Sequence, residues 1–305
     1  MLRLFLPLVI VSILSAEMVE RTQVMMGTFV TLSLPKDHVK EMQQSFKLLK
    51  EVEKSLSSYD KHADIYKLNQ YHKTSITPYT YHALTLSKQY YQESHGYFNI
   101  AIGAITKKLY HFGENERIVV KGLLTDANVD FNGLHFDNKN AWLDKGITID
   151  LGGMGKGFGV DRVAEYLSEQ NITEGTIALS GDIRCLSRCT MAIQDPFDED
   201  KTIFTFKTRY PNTSISTSGN YRRFVKEKKN NHLINPKRKA SQQVFASVTL
   251  ISHGDNVDID AYATAASVMP LKDAILFLDR LDVGYFLVTT DNKQHQSKKF
   301  KDFVE

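Results

Sequence analysis

Apolar and polar residues alternate along this chain with two different periods, and the changes of period mark its elements. Over Gln23–Leu34 the alternation is two-fold, with Phe29 and Thr31 opposite Val30 and Leu32, which predicts a strand. From Asp37 to Ser57 the spacing turns helical: Val39, Met42, Phe46, Leu49, Val52 and Leu56 fall on one stripe. A second helix is predicted over His82–Ser94. Ile147, Ile149 and Leu151 alternate with Thr148 and Asp150, which reads as a strand. Val160, Val163, Ala164 and Leu167 then recur at i, i+3, i+4 and i+7, so that strand is expected to lead into a helix. Thr176–Asp182 reads as a buried strand closing in a turn, and Met191–Pro196 as a further strand. Strands at hairpin spacing among several helices point to an α+β fold rather than a doubly wound parallel sheet.

Five glycines lie between positions 152 and 159, with Lys156 among them. A strand, a glycine-rich turn and a helix start together make an anion site, with backbone N–H groups at the positive end of the helix dipole. Two nucleotide motifs fail here. Lys156 is followed by Gly157 rather than Ser or Thr, so this is no Walker A loop. The third glycine of a dinucleotide fingerprint would fall on Phe158 or on Val160. A different phosphate cradle and a tight turn packed against a helix are the readings left.

Composition changes the picture little. With 305 residues, 42% hydrophobic and 24% charged, the chain has ample material for a core. A net charge of +3 gives no argument for nucleic acid, and the lysines of 226–229 and 237–239 read as solvated faces. Met1–Ala16 reads as an export signal: Arg3, an apolar run Leu4–Leu14, then Ser15-Ala16. The run is too short to span a bilayer. Residues 17–305 are then the working domain, placed in the periplasm or cell envelope, and no cysteine lies in the leader to carry a lipid. The only two cysteines, Cys185 and Cys189, bracket Leu186-Ser187-Arg188. A disulfide and two free thiols are both open readings, and no neighbouring Cys or His pair supports a metal site there.

Asp260 and Thr264 stand four apart in a run of strong helix formers, which puts a carboxylate and a hydroxyl on one helix face. Such hard oxygen donors suit Mg²⁺; the competing reading is that Asp260 caps the helix. His232, in KKNNHLINP, is either a structural histidine beside a proline turn or a base, since a free imidazole titrates near 6.5.

DLGGMGKGFGVD resembles the glycine-rich segment of the ApbE family, the FAD:protein FMN transferases. MGTFVTLSL (Met26–Leu34), STSGNYRRF (Ser216–Phe224), HLINP (His232–Pro236) and DIDAYATAAS (Asp258–Ser267) match further family stretches in the expected order. The likeness covers nearly the whole chain after its first twenty residues. It implies mixed, mainly antiparallel sheets with flanking helices, a T-fold-like arrangement. It places Met26 and Tyr59 at the flavin, with Tyr97, Phe98 and Asn99 beside it, and Asp150 and Lys156 on the nucleotide. Thr217, Ser218, Gly219 and Ile234 join the FAD site, although a plain turn competes at 217–219. The resemblance gives Mg²⁺ to Asp260, Thr264 and the backbone carbonyl of Gly153, and puts His232 beside the reacting phosphate.

Some positions depart from the family pattern. Asn99 and Ala101 replace an acid and a hydroxyl, Ser180 replaces a glycine, and Asn235 replaces an acid near His232. The activity implied is Mg²⁺-dependent transfer of FMN from FAD to a threonine hydroxyl of an acceptor protein, releasing AMP. A redox-pump subunit is the acceptor type implied, which would put the enzyme near inner-membrane complexes at their outer side. FAD cleavage by water and a non-catalytic exported FAD-binding protein are the alternatives.

Overall fold

The computed structural model describes residues 17–221 and 223–305. The predicted export leader Met1–Ala16 and Arg222 lie outside the described residues. An eight-stranded sheet, antiparallel at every pairing, forms the frame. Its strands lie in the order Met18–Met25, Thr28–Pro35, Thr176–Leu179, Asp182–Cys185, Thr213–Gly219, Phe245–Ser252, Gly284–Thr289 and Gln294–Gln296. Helices pack alongside, so the α+β reading holds.

The two helical stripes seen in the sequence meet in one core. Met42, Phe46 and Leu49 of the Val39–Leu56 helix share a buried cluster with Val160, Val163 and Leu167 of the Gly155–Glu169 helix, and with Val30, Leu32 and Leu34 of the sheet. The Asn256–Ser267 helix crosses the Gly155–Glu169 helix and lies over Thr213–Gly219 and Phe245–Ser252. Phe245–Ser252 is buried along its whole length because both its faces are covered. Val248 and Leu250 join the helical core, whereas Ile251 joins an aromatic cluster with Phe286 and Phe300. A register shift between Phe245 and Ser247 exchanges the faces there, so Phe245 joins the first cluster and Ala246 the second.

Three sequence expectations are corrected. Gln23–Leu34 is not one strand: Met26 and Gly27 both have positive φ, 51° and 69°, and make a two-residue turn that folds the ribbon into a hairpin. Ile147–Leu151 is buried except at Asp150, but it joins no ladder. The Asn69 side-chain amide takes its place, accepting from the Ile149 N–H at 2.8 Å and donating to the Ile149 carbonyl at 2.8 Å. The helix expected from Val160 begins at Gly155, so Gly155, Gly157 and Gly159 are helical rather than loop residues. Boundaries elsewhere move by a few residues. The helix read from His82 starts at Pro78, where the Thr77 hydroxyl accepts from the Thr80 N–H, and the strand read over Met191–Pro196 spans Thr190–Gln194.

Cys185 and Cys189 are joined in a disulfide. Cys185 ends a strand of the main sheet. Cys189 leads into Thr190–Gln194, which pairs with Thr202–Lys207 as a separate two-stranded hairpin. Among the described residues no helix is long and apolar enough to cross a membrane.

Candidate active site

A cavity of about 1050 Å³ opens beside the crossing of the Gly155–Glu169 and Asn256–Ser267 helices. Every residue that the sequence assigns to the FAD, metal or catalytic site lies on its wall. Met26 comes from the first hairpin turn and Tyr59 from just beyond the long helix. Tyr97, Phe98 and Asn99 come from the loop after the Pro78–Glu93 helix. Asp150, Gly153 and Lys156 lead into the glycine helix, while Thr217, Ser218 and Gly219 end a central strand. His232 and Ile234 sit on the following loop and short strand, and Asp260 and Thr264 on one helix face. A cavity this size suits a dinucleotide.

Lys156 is the electrostatic centre. Its Nζ lies 2.7 Å from Asp182 Oδ2 and 3.4 Å from both oxygens of Asp260. Burial alone would pull the ammonium down, but the two carboxylates outweigh it and hold the pKa above its ordinary value. Asp260 is 2% exposed. Burial first, then the Asp182 charge, push its carboxyl up to about 7, against the pull of Lys156 and of the Gly157 N–H. Asp260 lies in the middle of its own helix, whose N-cap is Asp255, so it caps nothing there. It accepts instead from the Gly157 N–H at 3.0 Å, at the start of the neighbouring helix.

When both acids are ionised they outweigh the one ammonium they face, so a cation would fit beside them and would favour the ionised form of Asp260. The donors expected there, the Asp260 carboxylate, the Thr264 hydroxyl and the Gly153 carbonyl, would all be hard oxygens. Gly153 packs so closely on Thr264 that a Cβ there would lie 2.8 Å from Thr264 Cγ2 and 3.2 Å from Oγ1. The Ser218 hydroxyl approaches Thr264 Oγ1 at 3.5 Å. Among the described residues no group of three or more His, Cys, Asp or Glu converges, so a metal here would draw on this mixed set.

His232 is half-buried, and its Nδ1 lies 3.1 Å from the Arg223 carbonyl oxygen. With Nδ1–H donating to that carbonyl, Nε2 is left as the basic nitrogen. Burial, and after it the Arg223 guanidinium, lower the imidazole to about 4, so it is neutral at pH 7. Asn235 takes no part in orienting it. Its Nδ2 donates to the Val268 carbonyl at 2.6 Å, and its Oδ1 accepts from the N–H groups of Lys237 and Arg238 at 3.0 Å. Asn99 is likewise committed to the fold: Nδ2 donates to the Val129 carbonyl and Oδ1 accepts from the Ala101 N–H.

The aromatic wall carries cations: Arg223, which the sequence offers as a partner for a diphosphate, and Lys107 and Lys237, which it does not assign to the site. Tyr59 donates to the Phe112 carbonyl at 2.7 Å and accepts from Arg223 Nη2 at 2.9 Å. Lys107 Nζ lies against the Tyr59 ring and 3.7 Å from Asp150 Oδ2. Lys237 Nζ lies 3.9 Å from the Tyr97 ring centroid. Burial would raise the Asp150 carboxyl, but Lys107, the Thr106 hydroxyl and the Gly152 N–H together hold it below its usual value. Asp182 is left by the sequence as either a turn cap or a ligand contact. It begins a strand instead of capping a turn, is fully buried, and accepts from the Ser216 hydroxyl at 2.6 Å. The one sequence hint was its place in Ser180-Gly181-Asp182 straight after a buried strand.

An antiparallel sheet flanked by helices, with a large cavity over a lysine and two buried acids, defines an α+β protein with a built ligand site. The family model described as the ApbE family matches residues 26–287, so the chain belongs to the ApbE family. A curated relative from Buchnera aphidicola, named FAD:protein FMN transferase, is 26% identical over 92% of this chain and 89% of its own length. One of the same name from Klebsiella pneumoniae is 25% identical over 87% of each chain. The fold is also that of the crystal structure of the ApbE protein from Thermotoga maritima, with a TM-score of 0.86 at 20% identity. That match covers 95% of this chain and all of the other. The flavin transferase ApbE from Vibrio cholerae superposes with a TM-score of 0.82 at 23% identity, over 95% and 100% of the two chains.

Proposed function

We propose that this protein transfers FMN from FAD to a threonine hydroxyl of an acceptor protein, releasing AMP. The observation that carries the reading is the Lys156–Asp182–Asp260 cluster at the foot of a cavity whose other walls hold Tyr59 and His232. Relatives of the same family bear the name of this activity. Mg²⁺ held by Asp260, Thr264 and the Gly153 carbonyl would supply charge neutralisation of the diphosphate. Lys156 adds a fixed positive charge beside it, and the N-terminal N–H groups of the glycine helix add dipole stabilisation. Tyr59, and the backbone at Tyr97–Asn99, position the flavin. His232, neutral with Nε2 free, accepts the hydroxyl proton of the incoming threonine. Positioning and electrostatics carry most of such a displacement, which suits a site with few reactive side chains.

The committed side chains of Asn99 and Asn235 support catalysis over passive FAD binding, since neither departure empties the reacting centre. We also propose that the protein works outside the cytoplasm at the outer side of the inner membrane, on a redox-pump type subunit; the disulfide supports an oxidising compartment.

The test is incubation with FAD, Mg²⁺ and a candidate acceptor, with mass spectrometry for an FMN adduct and chromatography for AMP. Asp260→Ala should cut turnover by orders of magnitude, and Thr264→Val should raise the Mg²⁺ requirement. AMP release at the same rate without acceptor would replace transfer by hydrolysis. Intact FAD after exposure to Mg²⁺ and acceptors would leave a binding protein.

A further inference from the structure

Asp161 closes the glycine-rich motif, yet it lies outside the cavity wall and the proposed reaction does not use it. It is 5% exposed. Its Oδ1 accepts from the Asn256 N–H at 2.8 Å and its Oδ2 from the Val257 N–H at 2.7 Å. These are the first two residues of the helix that carries Asp260 and Thr264. Arg184 Nη2 bonds Asp161 Oδ1 at 2.9 Å and holds the carboxylate in place. The Asn256 side chain donates to the Ile183 and Ile215 carbonyls at 2.9 and 3.3 Å, which fastens the same helix start to the sheet.

The arrangement is reciprocal. Asp260 accepts from Gly157 at the start of the glycine helix, and Asp161 accepts from the start of the Asp260 helix. Asp161 lies four residues after Gly157, and Asp260 four residues after Asn256. Residues four apart share a helix face, so two equivalent faces mate across the crossing. A Cβ at Gly157 would lie 2.7 Å from the Asn256 carbonyl oxygen and 2.8 Å from Val257 Cα, so the backbones touch at that point. Each carboxylate sits on the positive dipole end of the other helix.

We propose that Asp161 is a positioning residue for the proposed metal site: through the Asn256 and Val257 N–H groups it sets where Asp260 and Thr264 stand relative to Gly153 and Lys156. The proposal rests on the Mg²⁺ site described above. Asp161→Asn keeps the shape but turns an amide nitrogen toward one of the two N–H donors and discards the charge facing Arg184. Groups that orient metal ligands from behind typically change metal affinity by about 10- to 100-fold when altered.

The experiment measures Mg²⁺ affinity directly, from the dependence of the unfolding midpoint on Mg²⁺ with FAD present, and FAD affinity separately in chelator by flavin fluorescence. Val163→Ala, buried on the same helix but facing the other core, serves as the control for lost stability. Asp161→Asn should need about tenfold more Mg²⁺ for the same midpoint shift, with FAD affinity in chelator near wild type. Val163→Ala should lower the midpoint and leave Mg²⁺ affinity unchanged. If Asp161→Asn does not fold, Arg184→Met, which frees the carboxylate, should weaken Mg²⁺ in the same direction. Mg²⁺ affinity equal to that of Val163→Ala would overturn the proposal. No Mg²⁺ response in wild type would remove the metal site and this proposal together. A normal Mg²⁺ response without flavin transfer would remove the transferase reading alone.

Discussion

The Lys107 ammonium lies 3.7 Å from the centroid of the Tyr59 ring. One face of that ring is therefore taken by a cation, so a flavin stacked on Tyr59, as proposed, would take the opposite face. The bonds to the Phe112 carbonyl and from Arg223 fix its tilt. Gly113, with φ of 85°, makes room: a Cβ there would lie 2.6 Å from the Tyr59 hydroxyl. Tyr59→Phe keeps the ring and removes both bonds that fix it, so FAD affinity should fall about three- to tenfold, the worth of roughly one hydrogen bond of about 0.5–1.5 kcal/mol. Lys107→Met should weaken binding to a similar extent. Flavin fluorescence titration reads both, and unchanged affinity in both variants would remove Tyr59 from the flavin site.

The glycines of the motif should respond in opposite directions to the same substitution. Gly157→Ala drives a methyl into the backbone of the crossing helix and should cost about 1–3 kcal/mol. At Gly155 a Cβ meets nothing within 4 Å. Gly155→Ala should therefore stabilise the helix start by up to about 1 kcal/mol. Gly155 also lines the cavity, so the same methyl should weaken FAD binding. Urea midpoints and FAD titrations of the two proteins separate these effects.

His232 gives a pH signature. Its folded pKa of about 4 lies below the unfolded 6.5, so the fold favours the neutral ring. The stability this contributes is complete above pH 6.5 and is lost as pH falls from there toward 4. Turnover limited by His232 should accordingly lose its acid limb near pH 4 and not near 6.5. His232→Asn should lower turnover by about 10²- to 10⁴-fold and flatten the stability slope between pH 4 and 6.5. Since the Asp260 carboxyl at about 7 also titrates in this range, the reading is made on stability: a slope between about pH 5.5 and 7 that His232→Asn abolishes would mean that the ring is far less shielded than its surroundings indicate.

Restoring the family acid at Asn235 should gain nothing. In Asn235→Asp the acceptor to Lys237 and Arg238 remains, but the donor to the Val268 carbonyl becomes a carboxylate oxygen facing an oxygen. The expected result is a loss of about 1–3 kcal/mol in stability with turnover per folded molecule unchanged. A marked rise in turnover would show that the acid acts on His232 after all.

The sequence was most informative where a single helix decides the geometry. Asp260 and Thr264 meet because 3.6 residues make a turn, and the apolar stripes of Val39–Leu56 and Gly155–Glu169 follow from the same period. It was least informative where a partner lies far along the chain. Ile147–Leu151 looks like a strand because its residues are right for one, but a side chain eighty positions away satisfies the backbone at Ile149. The hairpin at Met26-Gly27 was hidden because methionine rarely adopts positive φ, and only Gly27 signalled a turn. Lys107 carried no local pattern, and Asp182 and Asp161 showed only their places after the Ser180-Gly181 turn and at the end of the glycine-rich motif. Their roles arise from ion pairs and hydrogen bonds between segments that only the folded sheet brings together.

The Cys185–Cys189 bond closes a loop too short to add much to the stability of the whole chain. Its effect is local. It sits where the main sheet hands the chain to the 190–207 hairpin, whose Met191, Ile193 and Phe206 form part of the cavity wall. That hairpin forms its own sheet and leans on Phe286 and Phe300 through stacked and edge-on rings. The covalent link thus works as a hinge pin: it removes swivel from the joint, and one wall of the cavity keeps its bearing while side chains around it rearrange.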